Sequence, residues 1–95
     1  MNKSKRKGYL LEHYLDQYFN AKGIKCQRIG QPNSPDLVLE GKGTMECKCW
    51  KAGLKTLYKM LGDNNFLAVK YQSKKAKGRE VLVIMKLGEF VKLLK

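Results

Sequence analysis

Acidic side chains are scarce in this chain. Eight Asp and Glu stand against twenty Lys and Arg over 95 residues, a formal charge of +12 with a pI near 9.8. Self-repulsion on that scale opposes compaction unless a polyanion shares the surface, so nucleic acid is the expected partner, as it is for ribosomal-type basic proteins. Long apolar runs are missing too. The longest, Val81-Leu82-Val83-Ile84-Met85, is far short of the roughly 20 residues of a membrane helix, so no membrane partner is expected. The basic stretch Met1 to Lys7 is not followed by an apolar signal core. Cysteine is limited to Cys26, Cys47 and Cys49. An odd count closes no disulfide framework, and no Cys-x₂-Cys pair offers a zinc site, so a reducing, cytoplasmic setting is expected. Histidine occurs once, at His13. Repeats and low-complexity tracts are absent, and 43% hydrophobic content argues against disorder. The length suits a single domain, residues 1–95, with 1–7 as a basic arm.

Periodicity supplies the elements. Leu11, Tyr14, Leu15, Tyr18 and Phe19 form a helical stripe over residues 4–22, and Gly23 is placed to stop it. Residues 24–29 alternate as a strand, and the turn formers of 30–35 make a loop. Residues 36–40 and 44–50 read as a hairpin joined by Gly41-Lys42-Gly43. A second helix is expected over 53–61, ended by Gly62. Strands follow at 66–71 and 80–85, with a basic loop at 73–79 between them and a closing helix at 87–94. The order αβββαββα predicts an α/β domain with one mixed central sheet flanked by helices.

The hairpin carries the chemistry. With residues 41–43 as the loop, Val38 opposes Glu46 and Asp36 opposes Lys48. Leu37, Leu39, Met45, Cys47 and Cys49 then share an apolar face, which makes both hairpin cysteines buried small hydrophobes. Asp36, Glu46 and Lys48 share the other face with Val38, Thr44 and Trp50. A one-residue slip would scramble this sorting. Asp36 and Glu46 fall on a diagonal, roughly 7–8 Å apart by backbone. Two carboxylates so placed suit a hard cation such as Mg²⁺. On a strongly basic chain a metal reconciles them with phosphate, since it inverts the local sign and activates water. Lys48 beside them is placed to stabilise developing charge or orient the water. The same three side chains would equally make an exposed ion-pair patch.

Pro35-Asp36, nine intervening residues and Glu46-Cys47-Lys48 resemble the PD-(D/E)xK nuclease signature. In order and spacing, Arg6-Lys7-Gly8, Glu12, Gly23-Ile24, Arg28, Ser34, Asp36-Leu37-Val38 and Glu46-Cys47-Lys48 look like the archaeal-type Holliday-junction resolvases and their phage relatives. The resemblance covers residues 5–50, and Leu67-Ala68-Val69-Lys70 continues it. Between Lys48 and Phe66 the chain is shorter than the archaeal enzymes and more like the small phage members.

The resemblance implies a restriction-endonuclease-like fold and catalysis by Glu12, Asp36, Glu46 and Lys48. It implies ligation of Mg²⁺, with Mn²⁺ as a substitute, by Asp36 and Glu46, with the Cys47 backbone carbonyl and Glu12 as further ligands. On a helical wheel Glu12 lies at the edge of the apolar stripe, where it can reach along the sheet, while His13 points outward. Lys5, Arg6, Lys7, Arg28, Ser34, Lys74, Lys75, Lys77 and Arg79 would line the DNA. The expectation is a metal-dependent endonuclease resolving branched DNA, Holliday junctions above all, as a homodimer. A nicking, flap or repair nuclease of the same fold is the nearest alternative, and a non-catalytic basic DNA-binding protein the next.

Overall fold

A computed structural model describes residues 3–71 and 80–95, with side chains from residue 8 onward. The elements are α1 (Lys3–Ala21), β1 (Cys26–Arg28), β2 (Leu37–Leu39), β3 (Gly43–Met45), α2 (Leu54–Leu61), β4 (Leu67–Val69), β5 (Leu82–Ile84) and α3 (Leu87–Leu94). This is the expected αβββαββα order. The sheet arrangement differs: the strands form two small antiparallel sheets, β1-β2-β3 and β4-β5, where one mixed sheet was expected. The chain divides into two compact units, Met1–Trp50 with Leu94–Lys95 and Lys51–Leu93.

In the first unit, α1 ends as its sequence dictates. Gly23 adopts φ 81°; its N–H donates to the Asn20 carbonyl at 3.1 Å, and that of Ile24 to the Phe19 carbonyl at 2.9 Å. This is a Schellman stop, in which a left-handed glycine satisfies the last carbonyls and brings an apolar residue back onto the helix. Phe19 and Ile24 are both buried there, with Leu15, Leu37, Leu39 and Cys47.

β1 is an edge strand. Its bonds to the neighbouring strand run from Lys25 to Glu40 and from Ile29 to Asp36, so the Cys26 N–H and C=O point away from the sheet. Asn20 takes both. Its Oδ1 accepts from the Cys26 amide at 3.1 Å, and its Nδ2 donates to the Cys26 carbonyl at 3.0 Å. One helical side chain thus occupies the place of a further strand. Asn20→Ala should cost about 1–2 kcal/mol and lower Tm by roughly 4–8 °C per kcal/mol. Asn20→Asp, which keeps only the acceptor, should fall between. Equal melting curves for all three proteins would refute this role.

The hairpin register is a correction. Leu37 pairs Met45, Val38 pairs Thr44 and Leu39 pairs Gly43, two residues away from the symmetric loop expected around Lys42. Gly41 at φ 74° lets the chain reverse early, and the Lys42 N–H closes on the Leu39 carbonyl at 2.8 Å. A two-residue shift preserves the faces, so the sorting survives. The pairing ends at Leu37 and Met45, so Asp36 and Glu46 lie just past it on the two strands. The third strand is shorter than expected and stops at Met45. Cys49 lies beyond it and is exposed, contrary to its expected place on the inward face.

In the second unit, α2 ends at Gly62, whose N–H meets the Tyr58 carbonyl at 3.0 Å, and buries Leu61. α3 has the expected bounds and buries Val91. β4 and β5 pair Leu67 with Ile84 and Val69 with Leu82. Val81, Leu82 and Val83 are more than half exposed. Lys74, Lys75, Lys77 and Arg79 lie outside the described residues.

Candidate active site

Asp36 stands at the entry to β2. Its backbone carbonyl accepts from the Ile29 N–H at 3.1 Å, which holds it to β1. Its side-chain Oδ2 accepts from the Cys47 amide at 2.7 Å. A side chain therefore takes the amide just beyond Met45, where the ladder ends. Glu12 comes to the same place from α1. The Asp36 carboxyl is near enough to act on its protonation, and the Glu12 Oε2 accepts from Arg28 Nη2 at 3.3 Å. Burial first, and then the Asp36 carboxylate, push the Glu12 carboxyl above its ordinary range; Arg28 opposes them.

Arg28 reaches this pair from β1. Its guanidinium carbon lies 4.5 Å from the centre of the Tyr9 ring, and the ring in turn stacks on His13. The Arg28 Nε is buried and has no hydrogen-bond partner among the described residues. Sequence reasoning assigned Arg28 to phosphate alone and missed this engagement. The available signal was spacing: Tyr9, Glu12 and His13 share one helix face, and Arg28 is the β1 residue opposite Leu37, beside Asp36.

Glu46 and Lys48 are placed differently. Both are exposed, and Lys48 Nζ lies 4.0 Å from Glu46 Oε2. Cys47 between them is buried, and burial, followed by the charges of Asp36, Glu12 and Glu46, raises its thiol to about 11. At neutral pH it is a protonated thiol, neither nucleophile nor thiolate ligand. Ser34 is half-buried, its N–H on the Gln31 carbonyl. Lys5, Arg6 and Lys7 lie along the first turns of α1.

No family model, curated protein or solved structure matches the chain.

Among the described residues, no three His, Cys, Asp or Glu side chains are gathered closely enough to hold a metal ion. Glu12 and Asp36 nevertheless suit a hard cation in chemistry. They offer oxygen donors only, and their charges oppose one another until a cation joins them. Mg²⁺ commonly takes one or two protein carboxylates and completes its shell with water and phosphate oxygens, so this donor set fits.

The raised Glu12 carboxyl fixes a pH dependence. The folded protein holds this proton more tightly than an ordinary glutamic acid of pKa 4.5 does. Glu12's contribution to stability is therefore complete below pH 4.5 and is lost as pH rises through its higher folded value. In EDTA, Tm measured against pH should fall over that window in the wild type. Glu12→Gln should remove this component, and parallel curves would refute it.

Proposed function

We propose that the protein is a metal-dependent endonuclease of restriction-endonuclease-like fold that cuts branched DNA, with Holliday junctions as its principal substrate. The observation that carries this reading is the Glu12–Asp36 pair, tied to the Cys47 amide at the Glu46-Cys47-Lys48 segment on a chain of charge +12. Adjacent half-buried carboxyls are costly on a fold that has few acids, which favours a use for them.

Asp36 and Glu12 would hold Mg²⁺ or Mn²⁺, with water and phosphate oxygens completing the shell, while Glu46 and the Cys47 carbonyl lie on the neighbouring segment after β3. Bound there, the ion supplies Lewis acidity toward a phosphate oxygen and a water of lowered pKa. Asp36 keeps the segment after β3 fixed through its bond to the Cys47 amide. Lys48, free to leave its exposed pairing with Glu46, neutralises charge at the reacting phosphate. Lys5, Arg6, Lys7, Arg28 and Lys74, Lys75, Lys77 and Arg79 contact backbone phosphates, which position DNA without reading sequence. Cutting two opposed strands requires two sites related by a twofold axis, hence a homodimer.

One observation favours a second reading. The Glu46–Lys48 pair is exposed on both sides, as in a non-catalytic basic DNA-binding protein. The deciding experiment offers a four-way junction, a flap, a duplex and a single strand at one salt concentration, with Mg²⁺ or EDTA. Mg²⁺-dependent cutting, fastest on the junction, is expected. Fastest cutting of the flap or duplex would move the protein to another nuclease class, and binding without cutting would establish the second reading.

A further inference from the structure

The Arg28 guanidinium is held on two sides within the first unit. Nη2 donates to Glu12 Oε2 at 3.3 Å, and the Tyr9 ring lies against the guanidinium carbon at 4.5 Å. β1, which carries it, is fixed at its outer edge by the Asn20 bonds to Cys26. Such a planar, permanently charged fork is the side chain best suited to partial burial beside carboxylates. Asp36 adjoins Leu37, the register partner of Arg28, so one cation and two acids share this part of the unit. Without the cation, the repulsion between the two half-buried acids would lose its charged counterweight.

The Nε is the second observation. A buried N–H without a partner is unfavourable, and here it belongs to the same guanidinium that bonds Glu12. The fork is therefore held through Nη2, and its Nε donor stays shut away from solvent in this packing.

We propose that Arg28 is the internal counter-ion of the Glu12–Asp36 pair: a positioning residue that holds both carboxyls together in the metal-free protein and yields Glu12 to an arriving divalent cation. This rests on the reading of Glu12 and Asp36 as ligands of that cation. A guanidinium and a divalent ion beside the same carboxyl repel one another, so binding of one weakens the hold of the other. Once Glu12 turns to the cation, Nη2 is released as a charge-assisted donor for a DNA phosphate. Arg28 then serves assembly of the empty site first and substrate contact second. The two states use the same guanidinium and exclude each other.

The test combines melting curves with Mn²⁺ calorimetry on the full chain, using Arg28→Gln, Glu12→Gln and the double variant. In EDTA the double-mutant cycle should show a favourable Arg28–Glu12 coupling, and saturating Mn²⁺ should abolish it. Arg28→Gln should bind Mn²⁺ more tightly than wild type, on the order of tenfold, because a repelling charge is gone. A merely structural arginine predicts the opposite, a Tm loss of equal size with and without Mn²⁺ and weaker Mn²⁺ binding; that result would overturn the proposal. Should Arg28→Gln not fold, the wild type decides. Its guanidinium Nε resonance should move during Mg²⁺ titration, and a resonance that stays still while the Cys47 amide moves would also overturn it. Failure of the nuclease reading is separate, since it appears as absent cleavage, while none of these measurements involves DNA. A wild type that binds no Mn²⁺ defeats the metal site and this proposal together.

Discussion

Asp36→Asn should abolish all detectable Mg²⁺-dependent cleavage while leaving junction binding intact or slightly tighter. The asparagine Oδ1 can still accept the Cys47 amide, now 2.7 Å from Asp36 Oδ2, so the segment after β3 stays in place. The loss is the charge assistance of that bond, about 1 kcal/mol, partly offset because Glu12 no longer faces a second carboxylate. The metal loses an anionic donor, and a phosphate approaching the site loses a repelling charge. Single-turnover cleavage of a labelled junction, gel-shift binding and Mn²⁺ calorimetry separate these effects. Asp36→Ala is the less informative change, since it orphans the Cys47 amide at about 1–3 kcal/mol and confounds folding with chemistry. Glu46→Gln should act in the same direction as Asp36→Asn, with smaller structural consequences because Glu46 is exposed. If Asp36→Asn folds normally but loses binding and cleavage together, the carboxylate is a structural bridge and not a ligand.

Much of the local structure was legible because it depends on local rules. Gly23 and Gly62 terminate helices through backbone conformations that glycine adopts at little cost, and the apolar stripe around Leu15 and Phe19 follows helical spacing. The faces of the hairpin were legible for the same reason: side chains alternate whatever the exact pairing. What was not legible depends on closure. Both Gly41 and Gly43 can take positive φ, so the glycines did not determine where the turn closed, and pairing moved by two residues. The end of β3 was hidden as well, since an alternating sequence through Trp50 gives no sign that Asp36 will take the Cys47 amide. Cys49 lies beyond the end of β3 and is exposed. At the site, Glu12 could be placed by its angle on the helix, because one helix face determines it. Arg28 could not, because it sits on a strand while its partners Glu12 and Tyr9 lie on a helix earlier in the chain. Its charge suggested phosphate, and its surroundings supply Glu12 and Tyr9.

Lys48→Ala should lower kcat by about 10²–10³-fold, the usual consequence of removing one charge-stabilising donor, with KM and Mn²⁺ affinity changed by no more than a few-fold. The substitution is structurally clean. Lys48 is 66% exposed and pairs only loosely with Glu46, at 4.0 Å; an exposed ion pair of that kind contributes about 0–1 kcal/mol. No buried partner is left uncompensated, so Tm should hardly move, and a rate loss would belong to the chemical step. That separation matters because the two accounts of this surface diverge here. If Glu46 and Lys48 are an ion-pair patch, alanine at 48 changes neither rate nor stability. If Lys48 meets the phosphate in the transition state, kcat falls while ground-state binding persists. Single-turnover rates at saturating enzyme, compared with substrate-concentration curves, distinguish the cases. A loss confined to KM would make Lys48 a backbone contact, equivalent to the basic residues of α1, and would leave the carboxyl pair to act without it.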